Sequence, residues 1–245
     1  MFPKFNDGIQ TKYSMLVSTV LLVLPVYSWK LCFRYWQKLK KAHEETVLFE
    51  ARHNCVVTYR PNKGFIGWPV SEIEDAKFSD NKMFEKLYQP ILYFIRTSKK
   101  SLVISVMILN LNEIYSELLE ARKRGVKIRI INNFQHASSS KEMIYELLKN
   151  GVEFQMYISP SAATDTIMHN KYMIKDYDQE NGYLCLGSMN FTISALTNNE
   201  SVIFTSNHNV IEAFQQNFDE CWENIKIDNE GLINRTILMD AQFDA

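Results

Sequence analysis

The chain has 245 residues, 46% of them hydrophobic, with only 8 Gly and 6 Pro, enough for one substantial core and too long for a small disulfide-stapled module. Its four cysteines, Cys32, Cys55, Cys185 and Cys221, include no C-x-x-C pair, which argues against a secreted disulfide framework and reads as reduced thiols facing the cytosol. A net charge of -1 neither favours nor excludes nucleic acid, because a basic face can be offset by acidic residues elsewhere.

From Tyr13 to Trp29 the chain runs 17 residues without a charge, near the lower bound of roughly 17 to 25 for a membrane-spanning helix. Lys30 can snorkel, so that Leu31 and Phe33 extend the apolar length. Two readings compete. Val26-Tyr27-Ser28 weakly resembles a signal-peptidase site, whereas Lys30, Arg34, Lys38, Lys40 and Lys41 immediately downstream favour an uncleaved anchor with those lysines in the cytosol. The expectation is an anchor at 1–33 and a basic juxtamembrane linker at 34–45. Flanked by Lys4, Lys12 and Lys30, the run resembles a signal-anchor of the mitochondrial outer membrane. In that orientation the N-x-[ST] sequons at Asn190, Asn199 and Asn234 are accidental.

The main domain is expected over 46–230, with a tail at 231–245. Pro61, Gly64, Gly67 and Pro69 mark residues 60–75 as loop. Residues 82–97 repeat apolar positions at helical spacing, with Pro90 as a possible kink. The run "SLVISVMIL" (101–109) is apolar and rich in β-branched residues, as for a strand covered on both faces. A helix over 112–123, a stop at Gly125 and an alternating strand over 126–132 follow. Serines suited to capping open a helix over 139–149, Gly151 ends it, and 152–158 is the next strand. Strands and helices alternating at this spacing predict an α/β domain: a mixed or parallel sheet sandwiched by helices, behind an N-terminal transmembrane helix.

After a polar loop at 159–166 comes "MHNKYMIKD", whose His169 and Lys171, two apart on a strand, share one face. A second strand, "YLCLGSMNF" (183–191), is expected to pair with it and deliver Ser188 and Asn190, with Gly187 where a phosphate oxygen can approach the backbone. One imidazole, one fixed cation, one hydroxyl and one amide suit a phosphodiester. The imidazole can attack phosphorus while Lys171, Asn190 and Ser188 stabilise charge on the non-bridging oxygens, with no metal or other cofactor required.

His169-x-Lys171-x(4)-Asp176 followed by Gly187-Ser188-x-Asn190 resembles the HKD signature of the phospholipase D superfamily. With one motif copy and an anchor, the span from about Ser101 to Trp222 is similar to the Zucchini / mitochondrial cardiolipin hydrolase family, including "RGVKIRII" and "CWENI". The resemblance implies a phospholipase D-like fold, with His169 as the nucleophile forming a phosphohistidine and Lys171 and Asn190 binding phosphate. It further implies that Asp176 supports the catalytic geometry and that Glu200, in "TNNES", orients His169 through its other ring nitrogen.

Two departures stand out. Ten residues separate Asp176 from Gly187, where the family usually has six, and the tip, Asp178 to Glu180, is expected to add negative charge near the site. The family's zinc-binding insertion is missing too; His53 and Cys55 are two ligands where a tetrahedral structural site needs four, so no zinc is expected. A single motif supplies one histidine, yet the two-step displacement needs a nucleophile and a separate acid. The family's solution is a homodimer that brings both copies of His169 to one site.

For substrate, single-stranded RNA is expected to use Lys99, Lys100, Arg122, Lys123, Arg124, Lys127 and Arg129 with Arg60 and Lys63, and Phe134, Tyr157 and Phe65 for stacking. Anionic phospholipid such as cardiolipin is the alternative, with the anchor giving proximity and Phe65, Ile66 and Trp68 touching the membrane surface. The first reading implies an endoribonuclease of the piRNA-precursor kind. A catalytically weak scaffold is a third reading.

Overall fold

The computed structural model describes residues 7–61, 64–70, 83–134, 140–159 and 166–230; Lys4, Lys63, the sequon at Asn234 and the tail at 231–245 lie outside them. The chain divides into two compact units, Met1–Phe49 and Glu50–Ala245.

The first unit is carried by helix α1 (Asp7–Arg52), which runs unbroken through Pro25 and the 34–45 segment. By length and composition it can cross a membrane. Its apolar side chains from Tyr13 to Trp29 are exposed rather than packed on protein, as a lipid-facing helix requires.

The second unit is built on one eight-stranded sheet. Its elements are β1 (Cys55–Arg60), β2 (Gly64–Ile66), α2 (Met83–Arg96), β3 (Ser101–Val106), α3 (Asn112–Lys123), β4 (Lys127–Asn133), α4 (Lys141–Lys149), β5 (Glu153–Tyr157), β6 (Lys171–Lys175), β7 (Tyr183–Gly187), a short 3-10 turn at Ile193–Thr197, β8 (Glu200–Thr205) and α5 (His208–Glu230). Strand order is β2-β1-β8-β7-β6-β3-β4-β5. Strands β3, β4 and β5 are parallel, and β6 joins β3 antiparallel, Leu102 opposite Lys175 and Val106 opposite Lys171. The remaining neighbours are antiparallel.

Helices cover the sheet as expected. Ile91 and Ile95 of α2, Ile114 and Leu118 of α3, and Ile144 and Leu147 of α4 pack on one face with Ile104 and Met173. Ile211, Phe218, Trp222 and Ile225 of α5 pack on the other, over Val103, Ile131 and Ile174. Burial of each large aliphatic side chain contributes on the order of 1.5 to 3 kcal/mol. β3 is buried on both faces from Leu102 to Val106, while β8 buries alternate residues only.

Two local expectations are corrected. Gly64–Ile66 is an edge strand rather than loop, and Trp68 is buried beneath it, 6% exposed, against the Arg52 guanidinium and the rings of Tyr93 and Phe204. Trp68 therefore cannot touch a membrane. The turn that tucks it in needs Gly67, whose φ is +93° and where a Cβ would meet the Val56 carbonyl oxygen at 2.0 Å. Ser140 occupies the N-cap of α4 but does not cap it; its hydroxyl donates to the Leu109 carbonyl at 2.8 Å.

Lys175 is fully buried on the α2 face of β6. Its ammonium donates to the Thr97 hydroxyl and lies 4.7 Å from the Phe94 ring centre and 5.4 Å from that of Tyr183. Burial pulls its pKa from 10.5 down to about 7, against the neighbouring Asp176 carboxylate, which raises it. Between those two values the unfolded chain holds a proton at Lys175 that the folded chain has lost, so stability rises with pH across that window. Wild type should gain roughly 1 kcal/mol per pH unit over Lys175→Met between pH 7.5 and 9.5, measured by urea unfolding. Parallel curves for the two proteins would show that the amine titrates normally.

Candidate active site

His169 and Lys171 stand at the start of β6. On one side of His169, Met168 is buried and its sulfur accepts the Ser105 hydroxyl at 3.6 Å; on the other, the Asn170 carbonyl accepts the Met107 N–H at 3.0 Å. The flanking residues are thus pinned to β3 and the segment after it. The His169 ring is left exposed and makes no hydrogen bond among the described residues. Lys171, half-buried, donates from Nζ to the His169 carbonyl at 3.0 Å. Burial lowers its pKa, and the Glu200 carboxylate opposes that shift.

β7 brings up the second half. Gly187 pairs with Val202, and a Cβ on it would meet the Ser201 carbonyl oxygen at 2.1 Å. The close approach that glycine permits is therefore made by β8, not by a phosphate. Beyond it Met189 and Phe191 are buried at 1% and 3%, while Ser188 is exposed and Asn190 half-buried. The Tyr88 hydroxyl donates to the Thr192 carbonyl and holds the segment after Asn190 on α2.

Ser188 donates its hydroxyl to Glu200 and accepts the Ser201 N–H at 3.1 Å. The other Glu200 oxygen accepts from Asn198 Nδ2 at 3.1 Å. Ser188 is engaged as a strut between β7 and β8, and Glu200 is held by Ser188 and Asn198 rather than by His169. Asn190 differs: it is half-buried, and its Oδ1 is enclosed without a hydrogen-bond partner. So is Oδ1 of Asn110, in the segment that follows β3. Asn110 escaped the sequence reading; the available signal was an amide directly ending the apolar run "VMIL".

The antiparallel course of β6 separates residues that sequence spacing grouped. Asp176 lies at the far end of the strand from His169, roughly 20 Å away by strand rise. Its carboxylate accepts the backbone N–H groups of Lys99 (2.9 Å), Lys100 (2.6 Å) and Ser101 (3.2 Å). With φ at +54°, Asp176 clamps the entry to β3 and touches no substrate bound at His169. The longer hairpin turn sits at that end too, where Asp178 pairs with Lys100 at 3.0 Å; it adds no charge at the histidine.

The basic rim is displaced likewise. Ser101 is opposite Lys127 in parallel strands, so Lys99, Lys100, Arg122, Lys123, Arg124 and Lys127 gather at the Asp176 end. There Arg122 donates to the Asn150 carbonyl at 3.1 Å and Arg124 to the Arg96 carbonyl at 2.9 Å, closing helix ends. Arg129 pairs with Asp219 at 2.8 Å beneath α5. At the His169 end stand Arg60, next to the Tyr59–Glu200 pair, and the aromatics Phe134 and Tyr157 that follow or end β4 and β5. Phe65 packs on Tyr59.

Three comparisons agree with this architecture. The family model described as cardiolipin synthase, PLD-like domain, matches residues 91–222, more than half of the chain. A mitochondrial cardiolipin hydrolase of Xenopus tropicalis is 24% identical over 198 residues, covering 80% of this chain and 84% of that protein. One of Chlamydomonas reinhardtii is 31% identical over 137 residues, covering 55% of this chain but only 57% of its own length. Among solved structures, the phospholipase D family member Nuc of Salmonella typhimurium superposes with a TM-score of 0.50 at 21% identity, covering 58% of this chain and 90% of that one, a likeness of fold.

Stability measurements should separate the two ends of β6. Asp176→Ala, which frees three backbone donors and strains a left-handed residue, is expected to cost about 2 to 5 kcal/mol in urea unfolding. His169→Ala, removing an exposed and unbonded ring, should change stability by less than about 0.5 kcal/mol. The reverse order would put the structural load on the histidine.

Proposed function

The chain belongs to the phospholipase D-like family, with relatives named cardiolipin hydrolase and phospholipase D, and we propose that it hydrolyses an anionic phospholipid, cardiolipin or a close relative, in the membrane where α1 anchors it. The observation that carries this reading is the make-up of the His169 edge: an exposed imidazole, the Lys171 ammonium and the Asn190 amide. The lysine and arginine track expected for RNA stands at the opposite edge of the sheet. Relatives named mitochondrial cardiolipin hydrolase support the lipid and a mitochondrial location; the outer membrane, with the second unit in the cytosol, completes the proposal. Arg60, Phe134 and Tyr157 keep a single-strand endoribonuclease of piRNA biogenesis as a second reading. The scaffold reading loses the altered turn as an argument, since that turn lies far from the histidine.

In the proposed mechanism His169 attacks phosphorus and forms a phosphohistidine as the ester bond to the leaving alcohol breaks. Lys171 and the Asn190 amide N–H stabilise charge on the non-bridging oxygens. The leaving oxygen takes a proton from a second imidazole, and that imidazole then draws a proton from water as the water oxygen attacks and the P–N bond breaks. Glu200 acts through its neighbours: it favours the charged form of Lys171 and holds Ser188. The second imidazole is His169 of another copy in a homodimer.

Full-length protein should release phosphatidic acid from vesicles containing cardiolipin and leave single-stranded RNA intact, and His169→Ala should lower the lipid rate at least about 1,000-fold. Cleavage of RNA with intact lipid would reverse the two readings. For the shared site, His169→Ala titrated into wild type with subunit exchange allowed should suppress activity beyond dilution, because a mixed dimer lacks either nucleophile or acid. Loss strictly in proportion to dilution, with mixed dimers verified by sedimentation, would mean that each copy works alone.

A further inference from the structure

The segment from Met107 to Asn110 is tied to both halves of the site. Met107 N–H donates to the Asn170 carbonyl at 3.0 Å, between His169 and Lys171. Asn110 N–H donates to the Phe191 carbonyl at 3.0 Å, and Phe191 N–H to the Ile108 carbonyl at 3.1 Å. Leu109 and Phe191 pair as a parallel bridge, and both are buried, at 2% and 3% exposure. Asn110 and Asn190 thus each adjoin one member of that buried pair, and the backbone bonds of Met107 and Asn110 tie them to the segment that carries the histidine.

Both amides end in an enclosed Oδ1 with no donor. An enclosed acceptor with no donor is costly to keep, and here two of them adjoin the bridged pair that joins the segment after β3 to the one after β7. A phosphodiester at neutral pH has no hydrogen to offer a carbonyl oxygen, and two such dipoles facing it would repel its charge. A hydroxyl on the substrate does have one. Both side chains are half-buried, and an amide plane turns readily about χ2, so each Oδ1 can be presented to a bound headgroup while the Asn190 N–H still faces phosphate.

Resting on the phospholipase reading above, we infer that Asn110 is a specificity-determining residue that, with Asn190, accepts a free hydroxyl of the leaving alcohol, so that the preferred substrate is a phospholipid with a polyol headgroup. A hydroxyl donates its one hydrogen to one amide oxygen, a second hydroxyl of the polyol can serve the other, and neither is consumed. The neighbouring ester oxygen departs with a proton from the general acid.

The test uses full-length protein and two vesicle preparations at equal mole fraction, one with phosphatidylglycerol and one with phosphatidylpropanol, which has the same charge and carbon count but no free headgroup hydroxyl. Phosphatidic acid release should favour phosphatidylglycerol by at least about tenfold, as for a site built to bond a hydroxyl. Asn110→Ala should shrink that ratio to within about threefold without lowering the thermal midpoint, since no bond inside the protein is lost. Asn110→Ser, which restores a smaller acceptor, should recover part of the ratio. Equal wild-type rates on the two lipids would overturn the inference, as would Asn110→Ala lowering both rates in proportion, or a midpoint several degrees lower, either of which marks a structural role. Hydrolysis of neither vesicle would instead defeat the phospholipase reading, and the inference with it.

Discussion

Strand β6 runs against β3, and the polarity of that one pairing decides which residues can meet. With Val106 opposite Lys171 and Leu102 opposite Lys175, the N-terminal end of β6 lies beside the C-terminal ends of the three parallel strands. At the same edge the antiparallel course of β7 and β8 delivers Ser188, Asn190 and Glu200. The residues proposed to handle phosphate gather there because β6 enters the sheet from that side. The residues that close the sheet, Asp176 with its three backbone donors and Lys100 with Asp178, gather at the other.

This division gives the two ends opposite physical characters. At the Asp176 end structural charges are met: the carboxylate by amides, Arg122 and Arg124 by carbonyls that end helices. At the His169 end groups are left open. The imidazole is exposed, and two amide oxygens are enclosed without donors. Enclosed polar groups without partners reduce stability, and the two amide oxygens that adjoin the Leu109–Phe191 bridge are the ones the proposed substrate would meet. The buried Lys175 ammonium, held by Thr97 and two aromatic rings, is a separate cost borne inside the core.

Much of the fold was legible. Helix α3 was read from periodicity at its observed bounds, Asn112–Lys123, and β3 from its β-branched apolar run, because both are buried by their own local pattern. His169, Lys171 and Asn190 were legible from spacing of two on neighbouring strands. What spacing could not show was direction. Asp176 and the basic cluster from Arg122 to Lys127 are close in sequence or motif to catalytic residues, yet a strand of five residues carries Asp176 to the far edge. Gly187 and Trp68 were misread for a related reason: each is explained by a segment that folds back from elsewhere, β8 over the glycine and Arg52, Tyr93 and Phe204 around the indole. Asn110 carried no motif, and became visible only through its backbone N–H bond to the Phe191 carbonyl and its enclosed Oδ1.

The central claim is that His169 takes phosphorus into a covalent bond and then gives it up to water. Two in-line displacements at one phosphorus restore its original configuration, whereas direct attack by water inverts it. The most direct measurement is the stereochemical course with a phospholipid made chiral at phosphorus by sulfur and oxygen isotopes, turned over by the full-length protein. Net retention is the predicted result; net inversion would contradict the phosphohistidine and with it the role given to His169.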